Sequence, residues 1–253
     1  MPDVRILDEA GSTNDVLAGL VHAGDAAAFT TVLTLNQTAG RGRLGRVWSA
    51  PPGKTLAASV LVRPAVPGSV PLGWIPLLAG AAMSSAIDSL LGGGRTGLKW
   101  PNDVQVDGLK VCGVLAELVP SGDAVIVGTG VNLTLAEDEL PVPTATSLAL
   151  AGATDRGDQL VDAVLAGYLR ILLELLDRLA GFGGDARASG AHRTVSEWCR
   201  TIGREVRVSL PGGSDLFGTA TGIDETGRLL VREQDGNRIT PVAAGDVTHL
   251  RYE

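Results

Sequence analysis

The chain has 253 residues and carries 28 acidic against 21 basic side chains, a formal net charge of -7 at pH 7. A pI of about 5.0 argues against a protein that binds nucleic acid through bulk positive charge. Two cysteines are too few for a disulfide framework, and no basic-then-apolar signal segment starts the sequence, so we expect a cytoplasmic protein with reduced thiols and no membrane partner.

The N-terminal region predicts a short strand followed by a helix. The strand is Val4 to Leu7, and the helix runs to about Val21 after the polar sequence Gly11-Ser12-Thr13-Asn14. Ser12 or Thr13 can cap this helix through its side-chain oxygen. Three consecutive hydrogen-bonding side chains are more than one cap needs, so recognition of a polar ligand at the helix start is the alternative interpretation.

The segment from Gln37 to Trp48 contains three glycines and three arginines. Glycine permits unusual backbone angles and close approach, and guanidinium groups pair with carboxylates or phosphates. No Asp or Glu occurs from Ala26 to Ile87, whereas five basic residues do, so the positive charge is local in an acidic protein. This composition predicts a mobile loop that closes over an anionic ligand, rather than a packed element.

Two nucleotide-binding motifs match this region only in part. A G-x-G-x-x-G pattern at residues 40–45 follows the strand-like run Thr30 to Leu35, but the fingerprint also needs a helix next and an acidic residue about 20 positions on. No acid appears before Asp88, and the intervening Pro-Pro-Gly cannot open a helix. The sequence at residues 53–55 resembles the end of a P-loop, but Trp48 occupies the place of its first glycine. We reject both motifs.

The next elements predict a buried strand and a buried helix. Thr55 to Val62 is rich in β-forming residues, and Leu77 to Leu91 reads as a helix that ends at Gly92-Gly93-Gly94. The longest apolar run, Val70 to Met83, is short for a bilayer span and contains two prolines, so we interpret it as the start of the buried helix.

The stretch from Leu98 to Glu117 predicts a hairpin with a tight turn at Asp107-Gly108. An exposed edge lysine is the usual explanation for Lys110 in the return strand. Lys99 and Asp103 can likewise be ordinary polar residues of a loop. The sequence alone therefore leaves the role of these three charges open.

The C-terminal part predicts one more sheet strand, two helices and a small β domain. Val125 to Val131 is the strand, Asp158 to Leu179 carries a broad apolar stripe that predicts a core helix, and a second helix lies around Thr194 to Arg200. Composition changes at about Gly203. Five short β runs with glycine-containing turns then predict a small barrel: Glu205 to Leu210, Leu216 to Ile223, Arg228 to Glu233, Asn237 to Val242 and Thr248 to Tyr252. We expect two domains, residues 1–202 and 203–253.

Five groups of residues occur in the same order as in a known enzyme family. They are Gly11-Ser12-Thr13-Asn14; Gln37 with the glycine-arginine sequence 40–46 and Trp48; Lys99-Trp100-Pro101-Asn102-Asp103; Lys110 with Gly113; and Gly128 to Asn132. In this order the chain resembles the biotin protein ligases over most of its length. The resemblance implies an α/β (α+β) fold with a mixed central sheet and helices, similar to class II aminoacyl-tRNA synthetases, and an SH3-like C-terminal β-barrel.

The resemblance also implies an activity and a set of site residues. Biotin and ATP, with Mg²⁺, would give biotinyl-5'-AMP and pyrophosphate, and biotin would pass to a lysine on the carboxyl carrier domain of an acyl-CoA carboxylase. The implied biotin-binding residues are Ser12, Thr13, Asn14, Gln37, Gly40, Arg41, Gly42, Arg43, Lys110 and Gly113, and the implied ATP-binding residues are Arg46, Trp48, Lys99, Asn102, Asn132 and Arg251. Arg43, Lys110 and Asp103 are the implied catalytic residues. Asp103 would either assist magnesium or accept a proton from the acceptor lysine.

Three functions are alternatives to this activity: a DNA-binding repressor, a lipoate ligase and a biotin-storage protein. Some family members carry an N-terminal winged helix-turn-helix domain that represses the biotin operon, but only 10 residues precede Gly11. That is too short for such a module, so we expect a monofunctional ligase without a nucleic-acid partner, as a monomer or weak homodimer. A lipoate ligase is the alternative enzyme, and biotin storage without catalysis is a third possibility.

Limited proteolysis tests whether the glycine-arginine loop orders on ligand binding. Biotinyl-5'-AMP is a mixed anhydride, so loop closure has the functional purpose of excluding water. We expect trypsin to nick the free protein readily between Arg41 and Arg46, and slowly when biotin and ATP are present, as followed by mass spectrometry of timed digests. Equal cleavage rates in the two samples would contradict ligand-induced ordering.

Overall fold

The computed structural model describes residues 3–64 and 70–250. The helices are α1 (Thr13–Ala23), α2 (Trp74–Leu91), α3 (Gly157–Gly181) and α4 (Ala191–Trp198). The strands are β1 (Val4–Leu7), β2 (Thr31–Thr34), β3 (Gly40–Arg41), β4 (Val47–Trp48), β5 (Thr55–Val62), β6 (Thr96–Lys99), β7 (Asp103–Val106), β8 (Leu109–Leu118), β9 (Val125–Asn132), β10 (Glu205–Ser209), β11 (Asp215–Ile223), β12 (Leu229–Glu233), β13 (Ile239–Val242) and β14 (Asp246–His249).

A mixed sheet forms the centre of the larger part of the molecule. Across the described residues its strand order is β1-β2-β5-β9-β8-β7-β6, with β1 and β2 parallel and the other neighbours antiparallel. Helix α1 packs on one face, and α2 packs on the other with α3 behind it. The predicted mixed α/β architecture is therefore confirmed.

Strand β5 is buried along its whole length because both faces of the sheet are covered. Its alternate side chains enter two separate cores. Leu56 and Val60 pack in the large core under α2, whereas Leu61 packs with Leu17 of α1 in the smaller one. This two-sided burial explains why the strand reads as a continuous apolar run instead of an alternating one.

Helix α2 begins at Trp74, three residues before the predicted start. Pro76 is tolerated there because the first turn of a helix has no intrahelical partner for its N–H groups. Gly92 ends the helix with a φ of 87°, as its glycine sequence predicted. By length and composition α2 would suffice to cross a membrane, but 67% of it is buried in the protein, and a core helix passes the same test.

The predicted hairpin is confirmed between β7 and β8. Its two turn residues, Asp107 and Gly108, have φ of 49° and 83°, which a tight hairpin turn requires. The strand before it, β6, pairs with β7 so that Lys99 lies opposite Asp103. The peptide bond between Trp100 and Pro101, in the connection of these two strands, is cis.

The C-terminal residues form a second, antiparallel sheet with strand order β13-β12-β11-β10-β14 in the described part of the chain. The predicted β runs match these strands within a few residues. The last strand, β14, begins two residues earlier than predicted, at Asp246 instead of Thr248, and its Val247 pairs with Val208 of β10. The end of that predicted run, at Tyr252, lies outside the described residues.

Tyr168 is fully buried in the predicted core helix α3, and its hydroxyl has no hydrogen-bond partner among the described residues. A buried hydroxyl without a partner costs free energy relative to an apolar group of the same shape. We therefore expect Tyr168→Phe to raise the free energy of unfolding by ~1 kcal/mol, measured by urea denaturation.

A matched control is Ser147→Ala, since the buried Ser147 hydroxyl donates to the Leu135 carbonyl at 2.7 Å. That variant should lose ~1 kcal/mol. A loss of stability in Tyr168→Phe as large as that of the control would mean that the tyrosine hydroxyl has a partner, such as a buried water.

Candidate functional site

One cleft of about 390 Å³ lies where the glycine-arginine loop, the central sheet and the start of β14 meet. Most of the site residues predicted from the sequence line it: Ser12, Thr13, Asn14, Gln37, Arg41, Gly42, Arg43, Arg46, Trp48, Lys99, Asn102, Asp103, Lys110 and Gly113. Of the described residues, Gly40 and Asn132 do not line the cleft, and Arg251 lies outside the described residues.

The start of α1 supplies an uncharged polar wall. Ser12 caps the helix by accepting from Asp15 N, so the capping interpretation is confirmed for this residue. Thr13 donates to Gln37 Oε1 from its backbone N–H at 2.9 Å and from its hydroxyl at 3.2 Å. Ser59 of β5 donates to Thr13 Oγ1 at 2.7 Å or to Asn14 Oδ1 at 2.6 Å. Buried and mutually bonded, these groups are preorganised for a neutral polar ligand.

Ser59 was not predicted as part of the site. It is the polar residue in the middle of an apolar strand, and this is the signal that could have found it. Burying its hydroxyl in the sheet is tolerated because the polar start of α1 lies directly above it.

Arg41 points to the rim of the cleft. Its guanidinium binds both oxygens of Asp15 and also reaches Glu117, at 3.2 Å. The hydrogen bond with Arg41 holds the pKa of the Asp15 carboxyl below its usual range, and the same bond raises the pKa of Arg41. Glu117 in turn accepts from the Asn14 amide, so the start of the loop is tied to α1 and β8. The Arg41 side chain is therefore engaged, which leaves its backbone for any ligand.

The glycine-arginine loop is folded into a small ribbon. Gly40 pairs with Trp48 and Arg41 with Val47, and a turn at residues 43–45 joins them. Gly42 N donates to Arg46 O at 2.7 Å, and Leu44 and Gly45 take positive φ. The sequence predicted a mobile loop rather than a packed element, because a two-residue strand has no hydrophobic period to detect.

Arg43 and Arg46 reach the second sheet. Arg43 donates to Asn102 Oδ1 at 3.1 Å and to Gly245 O at 3.2 Å, and its Nη1 lies 3.9 Å from Asp246 Oδ1. Arg46 forms an ion pair with the same aspartate. Burial lowers the pKa of Arg43, and the Asp246 and Asp103 carboxylates oppose this shift, so the guanidinium stays charged. Sequence reasoning missed Asp246, because only the tertiary fold brings it to a loop 200 residues away.

Lys99, Asp103 and Lys110 come together on neighbouring strands. Lys110 Nζ lies 2.6 Å from Asp103 Oδ1. Because β8 is an interior strand between β9 and β7, the interpretation of Lys110 as an edge lysine is wrong. Burial lowers the pKa of the Lys99 ammonium, and the Asp103 charge opposes that shift. A partly desolvated ammonium in a cleft is suited to an anionic ligand.

The Asn132 side chain binds the segment at residues 144–146, which the sequence analysis did not include in the site. Its amide donates to Thr146 O at 2.9 Å. The same segment pairs with Lys110, whose N–H donates to Thr144 O and whose carbonyl accepts from Thr146 N, both at 2.8 Å. Asn132 therefore positions residues 144–146 beside the lysine.

Two glycines of β9 form the floor of the cleft. A Cβ on Gly130 would lie 2.8 Å from two ring atoms of the Trp48 indole, and one on Gly128 would overlap the Asn14 amide. Only glycine allows the indole and the amide to lie this close to the strand.

Five basic side chains line the cleft. Arg41, at the rim, is paired with Asp15 and Glu117, and the other four, Arg43, Arg46, Lys99 and Lys110, share the cleft with two carboxylates, Asp103 and Asp246. The local charge is therefore positive although the chain is acidic. No group of three or more His, Cys, Asp or Glu side chains in the described part of the chain could hold a metal ion alone. Magnesium needs only one or two protein carboxylates when phosphate oxygens and water complete its shell. The cleft supplies two carboxylates, Asp103 and Asp246, each in an ion pair with a basic side chain.

Comparison with protein families assigns both parts of the chain. Residues 9–133 match the model of the biotin/lipoate A/B protein ligase family, and residues 201–250 match the biotin protein ligase C-terminal domain. The biotin--[acetyl-CoA-carboxylase] ligase of Mycobacterium tuberculosis is 36% identical over 97% of this chain and 88% of its own length. The bifunctional ligase/repressor BirA of Escherichia coli is 31% identical over 97% of this chain and 73% of its length.

Solved structures agree with the family models. The biotin protein ligase of Aquifex aeolicus in complex with biotin and ATP superposes with a TM-score of 0.79 at 28% identity, covering 100% of both chains.

Proposed function

This chain belongs to the biotin protein ligase family, and we propose that it joins biotin to ATP, releases pyrophosphate, and transfers biotin from biotinyl-5'-AMP to a lysine of a biotin carboxyl carrier domain. The observation that carries this proposal is a single cleft that holds both a neutral polar wall and, besides Arg41 at the rim, a cluster of four cations. Biotin has a neutral ring system at one end and a carboxylate at the other, and ATP adds three phosphates.

The polar wall suits the ureido head of biotin. In this proposal Ser12, Thr13, Asn14 and Gln37 hydrogen-bond that head, helped by backbone groups of Arg41, Gly42 and Gly113. Gly40, which does not line the cleft, would act indirectly through its pairing with Trp48. The bonds already present within the wall support this assignment, because they hold the side chains in place before any ligand arrives.

The cations suit the chemistry of the first step. A biotin carboxylate oxygen attacks the α-phosphorus of ATP, the new O–P bond forms, and the bond to the β-phosphate oxygen breaks, so pyrophosphate leaves with the electron pair. Both reactants are anions, so charge neutralisation and fixed geometry supply most of the catalysis. Arg43 and Lys110 would face the reacting groups. Lys99, Arg46 and Asn102 would hold the phosphates and ribose, and Trp48 would cover the adenine.

The second step needs no covalent intermediate on the enzyme. The acceptor lysine amine attacks the acyl carbon of biotinyl-5'-AMP, and AMP leaves with the electrons of the broken anhydride bond. Asp103, held 2.6 Å from Lys110, would accept the amine proton or contact magnesium. Mg²⁺ would supply neutralisation of phosphate charge. Burial raises the pKa of the neighbouring Cys112 to about 12, which leaves it a protonated thiol and a poor nucleophile.

The proposal extends to residues and properties around the site. Asn132 would act on the nucleotide through residues 144–146, and Arg251 would bind ATP from the C-terminal end. The division into domains would fall between residues 202 and 203. The acidic net charge supports a ligase without a nucleic-acid partner, and two buried free thiols support a reducing, cytoplasmic setting. We further propose that the ligase acts as a monomer or weak homodimer.

Removal of either central cation should abolish most of the activity. We expect Arg43→Ala and Lys110→Ala each to lower kcat for pyrophosphate release about 10²-fold or more, since each deletes a charge that acts on the transition state. The assay measures pyrophosphate and labelling of a carboxyl carrier domain, with circular dichroism to check the fold.

Lys54→Ala is the matched control, because Lys54 pairs with Glu139 at 3.0 Å outside the cleft. It should leave kcat unchanged. Release of pyrophosphate with lipoate and not with biotin would assign the chain to the lipoate branch. Full activity in both cation variants would overturn the mechanism.

Lys99 should give ATP binding a dependence on alkaline pH. Because burial lowers its pKa, the ammonium loses its charge below the ordinary lysine value of about 10.4, and an anion is then held less well. We expect KM for ATP to rise with pH in this range in the natural chain. In Lys99→Arg the rise should be absent, since guanidinium keeps its charge.

Lys54→Arg serves as the control for the pH experiment and should keep the alkaline rise. If Lys99→Arg shows the same rise as the natural chain, the dependence belongs to another group.

A further inference from the structure

We propose that Trp100 is a positioning residue for the loop arginines: its indole fastens the turn at residues 224–228 of the C-terminal sheet, and that sheet in turn holds Asp246 against Arg43 and Arg46. The inference deepens the proposed function, on which its kinetic consequence rests. It assigns to the tryptophan of Lys-Trp-Pro-Asn-Asp a role that its neighbours in the motif do not share.

Trp100 is buried, with 2% of its surface exposed. Its Nε1–H donates to Gly227 O at 3.2 Å. Its backbone N–H donates to Thr201 Oγ1 at 3.0 Å, and that hydroxyl also contacts His249 Nε2 at 3.1 Å. His249 belongs to β14, the strand that begins with Asp246. Trp100 is therefore bonded both to the turn and, through Thr201, to the strand of the aspartate.

A second indole binds the same turn. Trp74, the first residue of α2, donates from Nε1 to Glu225 O at 2.7 Å. The backbones of Gly73 and Gly227 also meet closely, since a Cβ on Gly227 would lie 2.8 Å from Gly73 C. Two tryptophans from different elements of the first domain thus bind two carbonyls of the second domain, those of Glu225 and Gly227, which are two positions apart.

Hydrogen bonds to the Asp224 side chain hold the turn in one conformation, so a change in the position of its carbonyl groups also changes the position of the sheet. The Asp224 carboxylate accepts from Thr226 N at 2.9 Å, from Arg228 N at 3.0 Å and from Arg228 Nε at 2.6 Å. The turn joins β11 to β12, and β11 continues through β10 to β14 by an unbroken antiparallel ladder.

At the far end of this ladder, Asp246 and Gly245 receive the loop arginines. Both contacts come from the second sheet, whereas Asn102, the remaining partner of Arg43, lies two residues after Trp100. The segment Lys99 to Asp103 therefore sets the position of Arg43 from two sides. Its polar residues contact the cleft, and its tryptophan fixes the sheet that carries the opposing carboxylate.

The test is a double-mutant cycle with Trp100→Phe and Asp246→Asn. In the absence of ligand, each single variant should speed trypsin nicking after Arg43 and Arg46 by about two- to tenfold, the range for loss of one buried hydrogen bond or charge contact. In pyrophosphate release, Trp100→Phe should lower kcat/KM for ATP by about threefold or more, because Arg43 acts on the transition state, and only when Asp246 is present.

Two further variants keep the result interpretable. Trp74→Phe removes the other indole N–H from the turn and should speed nicking in the same way, which covers the case that Trp100→Phe does not fold. Trp198→Phe makes the same indole-to-phenyl change in a partly buried tryptophan of the first domain and should leave nicking unchanged.

Effects of Trp100→Phe that are equal with and without Asp246 would overturn the inference, as would unchanged nicking in both Trp100→Phe and Trp74→Phe. The nicking arm uses neither biotin nor ATP. A natural chain that releases no pyrophosphate would therefore defeat the proposed function and still leave the positioning role to be decided by proteolysis.

Discussion

The crowding of like charges is the constraint on which the site depends. Arg43, Arg46, Lys99 and Lys110 line one cleft, and their mutual repulsion in a partly desolvated space opposes folding. Two carboxylates make the arrangement possible. Asp103 binds Lys110, and Asp246 serves both arginines. Among the described residues Lys99 has no ion pair, so its charge is the least compensated of the four.

The two carboxylates come from different sheets, and this explains the architecture around the cleft. Asp103 is supplied by the central sheet, where the β6–β7 pairing also sets Lys99 opposite it. Asp246 is supplied by the C-terminal sheet. A cleft of this charge therefore requires the two sheets to keep a fixed position relative to each other. The indoles of Trp74 and Trp100 provide this by hydrogen-bonding the turn at residues 224–228.

The sequence predicted what local chemistry determines. Strand β1, strand β5 and the Asp107-Gly108 turn are confirmed because residue period and turn geometry act over a few positions. The likeness to biotin protein ligases then supplied most cleft residues, which pattern alone left open. What could not be predicted depends on distant pairing: Asp246, Glu117 and residues 144–146 carry no local signal that separates them from ordinary strand or loop residues. Ser59 has a weak signal, a polar residue within an apolar strand, but its partners at the start of α1 are set by the tertiary fold.

The two ends of the glycine-arginine loop differ from its middle in the partners they use. Arg41 is bound by Asp15 and Glu117 on the first domain, and Trp48 lies against Gly130 of the same domain. A bound phosphate would compete with neither contact, because both lie outside the arginine cluster. Arg43 and Arg46 instead face the Asp246 carboxylate, for which phosphate is a direct substitute, and Arg43 also donates to Asn102 and Gly245. The loop is therefore anchored to the first domain at both ends, and the contacts that a phosphate could replace are those of its middle with Asp246.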